Sequence, residues 1–304
     1  MSYLGERNHL TDGIDRKLIE LLWNNSRASS VALARALELT PPAVASRINK
    51  LTDRGIIRIT SFVDPTMAGS PLGVAVGMQV VRSRIKEVVS KIASHQATVN
   101  VAECTGSFNV MEAMFFTSLG EMSDFFSDVV LKTPGILSSE TFLLLPLTRR
   151  VRRGFASNPM DDIDWAIARA LRQNGRATTV TIARDIGVSP ITVQRHLKQL
   201  LDSHLLRVVT LLNLNRVDWY WPGALGIRAK REAVLAIMRR LAGYRQVPFV
   251  SCCTGRFDII ANIYEETEDK LHRLVEEEIA LWEGVVDFEL FRSTFVTYGP
   301  VWGG

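Results

Sequence analysis

Arg47, Asn49 and Lys50 stand close together in the sequence, and Arg195, Lys198 and Gln199 stand close together about 150 positions later. A guanidinium can bridge guanine, and an Asn or Gln amide can bridge adenine, because each offers two polar atoms at the spacing of a base edge in the DNA major groove. Lysines near such groups contact phosphates, which positions a protein without specifying sequence. The carrier stretches are Leu39-Thr40-Pro41-Pro42-Ala43-Val44-Ala45-Ser46-Arg47-Ile48-Asn49-Lys50-Leu51 and Val188-Ser189-Pro190-Ile191-Thr192-Val193-Gln194-Arg195-His196-Leu197-Lys198-Gln199-Leu200. The candidate DNA contacts are Thr40, Pro42, Ser46, Arg47, Asn49 and Lys50 in the first. In the second they are Ser189, Thr192, Gln194, Arg195, His196, Lys198 and Gln199. Arg47 and Arg195 are the expected base readers, and Lys50 and Lys198 the expected phosphate contacts. A solvated helix face has the same composition and is the competing reading.

Both stretches read as helices. Thr40 or Ser189 supplies a capping hydroxyl, and Pro41 or Pro190 fits the first helical position, where its missing N–H costs nothing. Val44, Ile48 and Leu51 form one apolar face, as do Val193, Leu197 and Leu200. Upstream, Ile14, Leu18, Leu21 and Leu22 predict a helix that Thr11 or Asp12 can cap, and a second helix is expected over 30–37. Two helices, a short turn and a capped third helix make a helix-turn-helix. The β-branched run 56–63 predicts a wing-like strand or hairpin.

The same grammar recurs at a constant offset of 149. Ile14-Asp15 matches Ile163-Asp164, Cys104-Thr105-Gly106-Ser107-Phe108-Asn109 matches Cys253-Thr254-Gly255-Arg256-Phe257-Asp258, and Gly135-Ile136 matches Gly284-Val285. A shared offset over this span predicts tandem duplication of one two-part module. Downstream of each helix-turn-helix the alternation predicts β-α-β-β-α-β, a ferredoxin-like order. The fold class is therefore α+β. The expected parts are winged helix-turn-helix domains at 1–62 and 161–211, βαββαβ domains at 63–147 and 212–304, and a basic linker at 148–160.

Charge follows this division. The chain carries a formal net charge of +4 over 304 residues. Residues 14–59 hold eight Lys/Arg against four Asp/Glu, and residues 163–208 seven against three. Arg149, Arg150, Arg152 and Arg153 add to the link between modules. Basic charge gathered on two helical segments is an electrostatic footprint for nucleic acid. The linker arginines could equally clamp phosphates or be solvated. Trp219-Tyr220-Trp221 reads as packing rather than base stacking, and Glu276-Glu277-Glu278 as a solvated helix face. No run is apolar enough to span a bilayer, and the N-terminus lacks the apolar core of a signal peptide, so a cytoplasmic location is expected. Cys104, Cys252 and Cys253 form no disulfide framework. No structural zinc spacing, P-loop, nucleophile elbow or dinucleotide fingerprint occurs. No metal, cofactor or catalytic residue is expected.

The ordered set resembles the Lrp/AsnC, or feast/famine, regulators. It comprises Thr40-Pro41-Pro42-Ala43-Val44 with Arg47 and Leu51, Gly55-Ile56-Ile57, Val63-Asp64-Pro65 with Gly69, Gly106-Ser107-Phe108-Asn109, and Pro134-Gly135-Ile136. The resemblance implies double-stranded DNA as partner and pairing through the βαββαβ domains. It also implies a small effector, such as an amino acid, near the Gly-containing hairpins. The effector candidates are then Thr105, Gly106, Ser107, Phe108 and Asn109, with Thr254, Gly255, Arg256, Phe257 and Asp258. Arg256 would pair with a carboxylate, and Asp258 with an α-ammonium group. Family members usually carry one module per chain, so this chain resembles a covalent pseudo-dimer, and homo-oligomers of such chains are expected. Because the two reading helices differ, asymmetric or degenerate DNA sites are expected. Siroheme decarboxylases resemble the same family, but carry His and Tyr near the hairpin. Here Val101-Ala102-Glu103-Cys104 and Phe249-Val250-Ser251-Cys252 offer neither. A sensor acting through protein partners, without DNA, is the third reading.

Overall fold

Carboxylate caps start both helix-turn-helix segments. Asp12 accepts from the Asp15 N–H at 2.7 Å while Asp15 returns a bond to the Asp12 N–H, which fixes α1 (Gly13–Asn24). The same reciprocal box, Asp161 with Asp164, starts α6 (Asp162–Gln173). The computed structural model describes residues 11–63, 70–145, 160–217 and 219–299. These group into two units, 11–63 with 160–217 and 70–145 with 219–299. The linker arginines and Asp64, Pro65 and Gly69 lie outside the described residues.

In the first unit, α1, α2 (Ser30–Leu37) and α3 (Pro41–Asp53) make one helix-turn-helix. The helices α6, α7 (Thr179–Ile186) and α8 (Pro190–Asp202) make the other. The tight turn before each third helix needs a left-handed residue; Gly187 takes it at φ 73°, and Glu38 takes it at φ 57° despite its Cβ. The strand expected at 56–63 forms as β1 (Ile57–Val63), but not as a hairpin within its own domain. It pairs antiparallel with β6 (Leu206–Leu212), in the register Thr60 opposite Val209.

The two strands serve opposite helical sets. Thr60 and Ser61 of β1 donate to the carbonyls of Arg172 and Ala168 on α6, at 2.9 and 2.8 Å. Thr210 of β6 donates to the carbonyl of Leu22 on α1 at 3.1 Å. The buried hydroxyls are thus satisfied across the pair. Arg27 donates to the carbonyls of Gly175 and Ala177, and Arg176 to those of Ser26 and Ala28, at 2.7–3.1 Å. A Cβ at Gly175 would stand 2.8 Å from the Ile59 backbone, so the close approach of β1 requires glycine there.

The second unit contains β2 (Leu72–Val80), α4 (Ile85–Ala93), β3 (Thr98–Thr105), β4 (Val110–Phe116), α5 (Leu119–Phe125) and β5 (Ile136–Leu145). It continues with β7 (Trp221–Ala229), α9 (Val234–Leu241), β8 (Phe249–Cys253), β9 (Ile259–Glu265), α10 (Glu268–His272) and β10 (Val285–Tyr298). Both α5 and α10 run on into π-helical turns, Phe126–Val130 and Arg273–Glu278. The β-α-β-β-α-β order expected for each half is present. The eight strands close into one barrel in the order β10-β3-β4-β2-β5-β8-β9-β7. Closure runs through the 14-residue β10, which pairs β7 along its first half and β3 along its second. The expected sequential domains therefore pack pairwise: helix-turn-helix with helix-turn-helix, and βαββαβ with βαββαβ.

Strand alternation separates three cores. Val74, Val76, Met78 and Val80 pack beneath α4 and α5, and Leu225, Ile227, Ile259 and Ile263 beneath α9 and α10. The alternate residues turn inward, where Phe108 stacks on Phe291 and Phe142 on Phe257, each pair with ring centroids 5.5 Å apart. Cys104 and Cys253 belong to this inner core, and burial pushes each thiol up to about 12. They are protonated packing residues, as the sequence suggests for the adjacent Cys252 and Cys253. Among the described residues no helix is long and apolar enough to cross a membrane.

Candidate nucleic-acid interface

The helices α3 and α8 are built alike. Each has 13 residues, begins with proline and is preceded by a capping hydroxyl. Thr40 Oγ1 accepts from the Ala43 N–H at 3.4 Å, and Ser189 Oγ from the Thr192 N–H at 3.1 Å. Thr192 Oγ1 lies 2.8 Å from Ser189 Oγ. These three hydroxyls, expected among the DNA contacts, are engaged in starting the helices. Val44, Ile48 and Leu51, and Val193, Leu197 and Leu200, are buried as their spacing predicts. The opposite face exposes Pro42, Ser46, Asn49 and Lys50 on α3, and Gln194, Arg195, Lys198 and Gln199 on α8.

Arg47 occupies a different place from the expected one. Its Nη1 lies 2.8 Å from Asp12 Oδ2 and 2.7 Å from Asp15 Oδ1, so its guanidinium is tied to the carboxylates that cap α1. The residue 149 positions on is His196, not Arg195. His196 is 9% exposed, and its Nδ1 lies 2.9 Å from Asp164 Oδ1 and 3.8 Å from Asp161 Oδ2. Arg47 and His196 therefore solve one task, tying the third helix to the first. The expectation that both face DNA gives way to this role. Spacing carried the signal: position 47 is three residues after Val44 and four before Leu51, on the margin of the buried face. Sequence reasoning also passed over Ile191, the second residue of α8, which is 78% exposed.

Asp161, Asp164 and His196 bring three metal-ligating atoms within 4.8 Å of one another. Their pairing with each other and with the α6 backbone accounts for all three without an ion.

The barrel hairpins hold the expected effector residues, already engaged with protein. Asn109 Oδ1 accepts from the Val80 N–H at 2.8 Å and its Nδ2 donates to the Val80 carbonyl at 2.7 Å. Asp258 Oδ2 accepts from the Ala229 N–H at 2.8 Å. Both join the hairpin to the neighbouring strand, and Asp258 does so through one of its two carboxylate oxygens. Thr254 Oγ1 accepts from the Leu143 N–H at 3.3 Å. Ser107 gives its N–H and hydroxyl to Glu289, at 2.7 and 2.9 Å. Arg256 lies between the Phe108 and Phe257 rings, 4.5 and 4.7 Å from their centroids. It pairs with Glu140 and Glu289, each at 3.2 Å, and donates to Ser107. Gly106 and Gly255 take φ of 136° and 111°, and a Cβ at Gly106 would stand 2.9 Å from Phe291. Among the described residues, those lining a barrel cavity of about 50 Å³ include Asn100, Asn262, Tyr264 and Ser293 and no histidine.

Known proteins match both halves of this arrangement. Residues 11–58 match the winged helix-turn-helix DNA-binding model, and residues 160–201 the AsnC-type helix-turn-helix domain. The HTH-type transcriptional regulator FL11 of Pyrococcus horikoshii is 27% identical over 135 residues, 44% of this chain and 89% of that protein. The leucine-responsive regulatory protein of Haemophilus influenzae is 24% identical over 144 residues, 46% of this chain and 87% of that protein. Over almost the whole chain, the fold is similar to that of the siroheme decarboxylase NirDL. The TM-score is 0.58 at 14% identity, covering 94% of this chain and 93% of that one. That likeness is one of fold. With an AsnC-type helix-turn-helix in its sequence and relatives of this kind matched along most of their own length, the chain is similar to the Lrp/AsnC regulators.

Proposed function

We propose that this chain is a sequence-specific DNA-binding transcriptional regulator, with its two modules acting as a pseudo-dimer produced by tandem duplication. The observation that carries it is the pair of capped 13-residue helices, α3 and α8, exposing polar and basic faces within one unit. Helix-turn-helix pairs insert such helices into successive major grooves. The contacts proposed are Pro42, Ser46, Asn49 and Lys50, with Gln194, Arg195, Lys198 and Gln199.

A small effector belongs to the same proposal. Because Arg256 is already paired, the ligand the geometry admits is a carboxylate that takes the place of Glu140 or Glu289. Amino acids have that group. Assembly of several such chains is the expected quaternary form. The enzyme alternative draws on fold alone, and the segments 101–104 and 249–252 beside the hairpins carry neither the histidine nor the tyrosine expected of a decarboxylase.

The test is a binding titration on genomic duplexes across salt concentrations. Arg195→Glu with Lys198→Glu should weaken binding at least tenfold and flatten the salt dependence by about one phosphate contact, that of Lys198. Equal binding by the variant and the parent chain, at every salt concentration, would refute the proposal and favour a partner-protein sensor.

A further inference from the structure

Because α3 and α8 share length, cap and starting proline, their exposed positions can be compared one by one. The second, fifth and sixth residues form one face of the leading two turns, the part of a recognition helix that meets base edges. On α8 they are Ile191, Gln194 and Arg195; on α3 they are Pro42, Ala45 and Ser46. All six are exposed.

The chemistry of the two faces differs. Arg195 can bridge guanine, Gln194 can bridge adenine, and Ile191 offers an apolar surface to a thymine methyl group. Pro42, Ala45 and Ser46 include no group that can bridge a base, and a serine hydroxyl accepts either partner. The one long cation near that face of α3 is Arg47, and its Nη1 is held between Asp12 and Asp15 at 2.8 and 2.7 Å. Asn49 and Lys50 stand about 12 Å farther along the axis than the helix start. Their counterparts there are Lys198 and Gln199. Those positions suit phosphates.

Resting on the DNA-binding reading, we infer that the two helices divide the work: α8 reads bases, and α3 grips the backbone with little discrimination. The bound sites then have one strongly specified half and one nearly degenerate half. Ile191 is a specificity-determining residue of the reading half, and Arg195 is its principal determinant.

The experiment is selection of binding sites from a random duplex pool with the full chain, followed by titration of the selected duplex against an unrelated one. The pool should converge on one informative half-site containing guanine. Arg195→Ala should lower the ratio of specific to unrelated binding roughly 10- to 100-fold, whereas Ser46→Ala should change it less than threefold. Ala45→Gln with Ser46→Arg should make the second half informative. Thermal melting of each variant confirms that it is folded. Two equally specified halves, or a Ser46→Ala loss equal to that of Arg195→Ala, would overturn the division while leaving DNA binding intact. Failure to bind any duplex at low salt would instead refute the DNA-binding reading, and the division with it.

Discussion

Glu112 on β4 sits where Ala261 sits on β9, 149 positions later. Its strand neighbours Val76 and Val101 belong to the core under α4 and α5, and neither of its carboxylate oxygens has a hydrogen-bond partner. Burial pushes this carboxyl well above its ordinary value of 4.5, so folding favours its protonated form. The unfolded chain releases that proton once pH passes about 4.5. Stability is therefore lost progressively as pH rises toward the folded value. Glu112→Gln should flatten this slope, and Glu112→Met should stabilise the chain at pH 7 by about 1–3 kcal/mol. Urea unfolding between pH 5 and pH 8 measures both; a slope unchanged in Glu112→Gln would show that other groups set it. The burial of position 112 was legible in the strand pattern. The absence of a partner was not, because it depends on what the two neighbouring strands and the helices packed over them bring near.

At the scale of elements, each third helix is bound to its first through two carboxylates. Asp12 and Asp15 hold an arginine, and Asp161 and Asp164 hold a histidine. Arg47→Ala should cost about 1–3 kcal/mol of stability, because it removes charge-assisted bonds from a partly covered site. His196→Arg should retain the fold, since the first helix-turn-helix already uses that solution. Thermal melting of the two variants decides it; an unaffected Arg47→Ala would return that side chain to the DNA face. The helices themselves were readable from capping residues, proline position and apolar spacing, and their observed bounds follow closely. The pairing of Arg47 is not legible in the sequence because its partners lie 32 and 35 positions upstream. The capping box that aims their oxygens is a product of folding. Thr40 and Ser189 cap their helices as their types and positions predict, and that duty engages the hydroxyls also expected on DNA.

Across the whole chain, the order of elements and the offset of 149 were visible in the sequence, whereas the partnerships were not. A β-branched run at 57–63 announces a strand without naming β6 as its mate. Two βαββαβ patterns do not state that β10 will pair with both β7 and β3. Arg256 shows the consequence for the effector residues. On the sequence it is a free cation opposite Ser107; in the barrel it joins Glu140 to Glu289 between two phenylalanine rings. Replacing it by the residue of the other hairpin, Arg256→Ser, should leave the two carboxylates uncompensated. A loss of about 1 kcal/mol at neutral pH, diminishing in high salt, is expected for this half-exposed network. Differential scanning calorimetry at two ionic strengths checks it, and a melting temperature independent of the substitution would assign Arg256 no part in closing the barrel.

The ladder between β1 and β6 joins the two helix-turn-helix segments inside a single polypeptide. A reader assembled from two separate chains loses operator occupancy with the square of its concentration once it begins to dissociate. Here the pair cannot be diluted apart, so for a chain acting on its own occupancy falls only in proportion to the number of molecules. Halving the copy number at cell division would then halve the signal at a weak promoter rather than quarter it, giving a graded response to protein level.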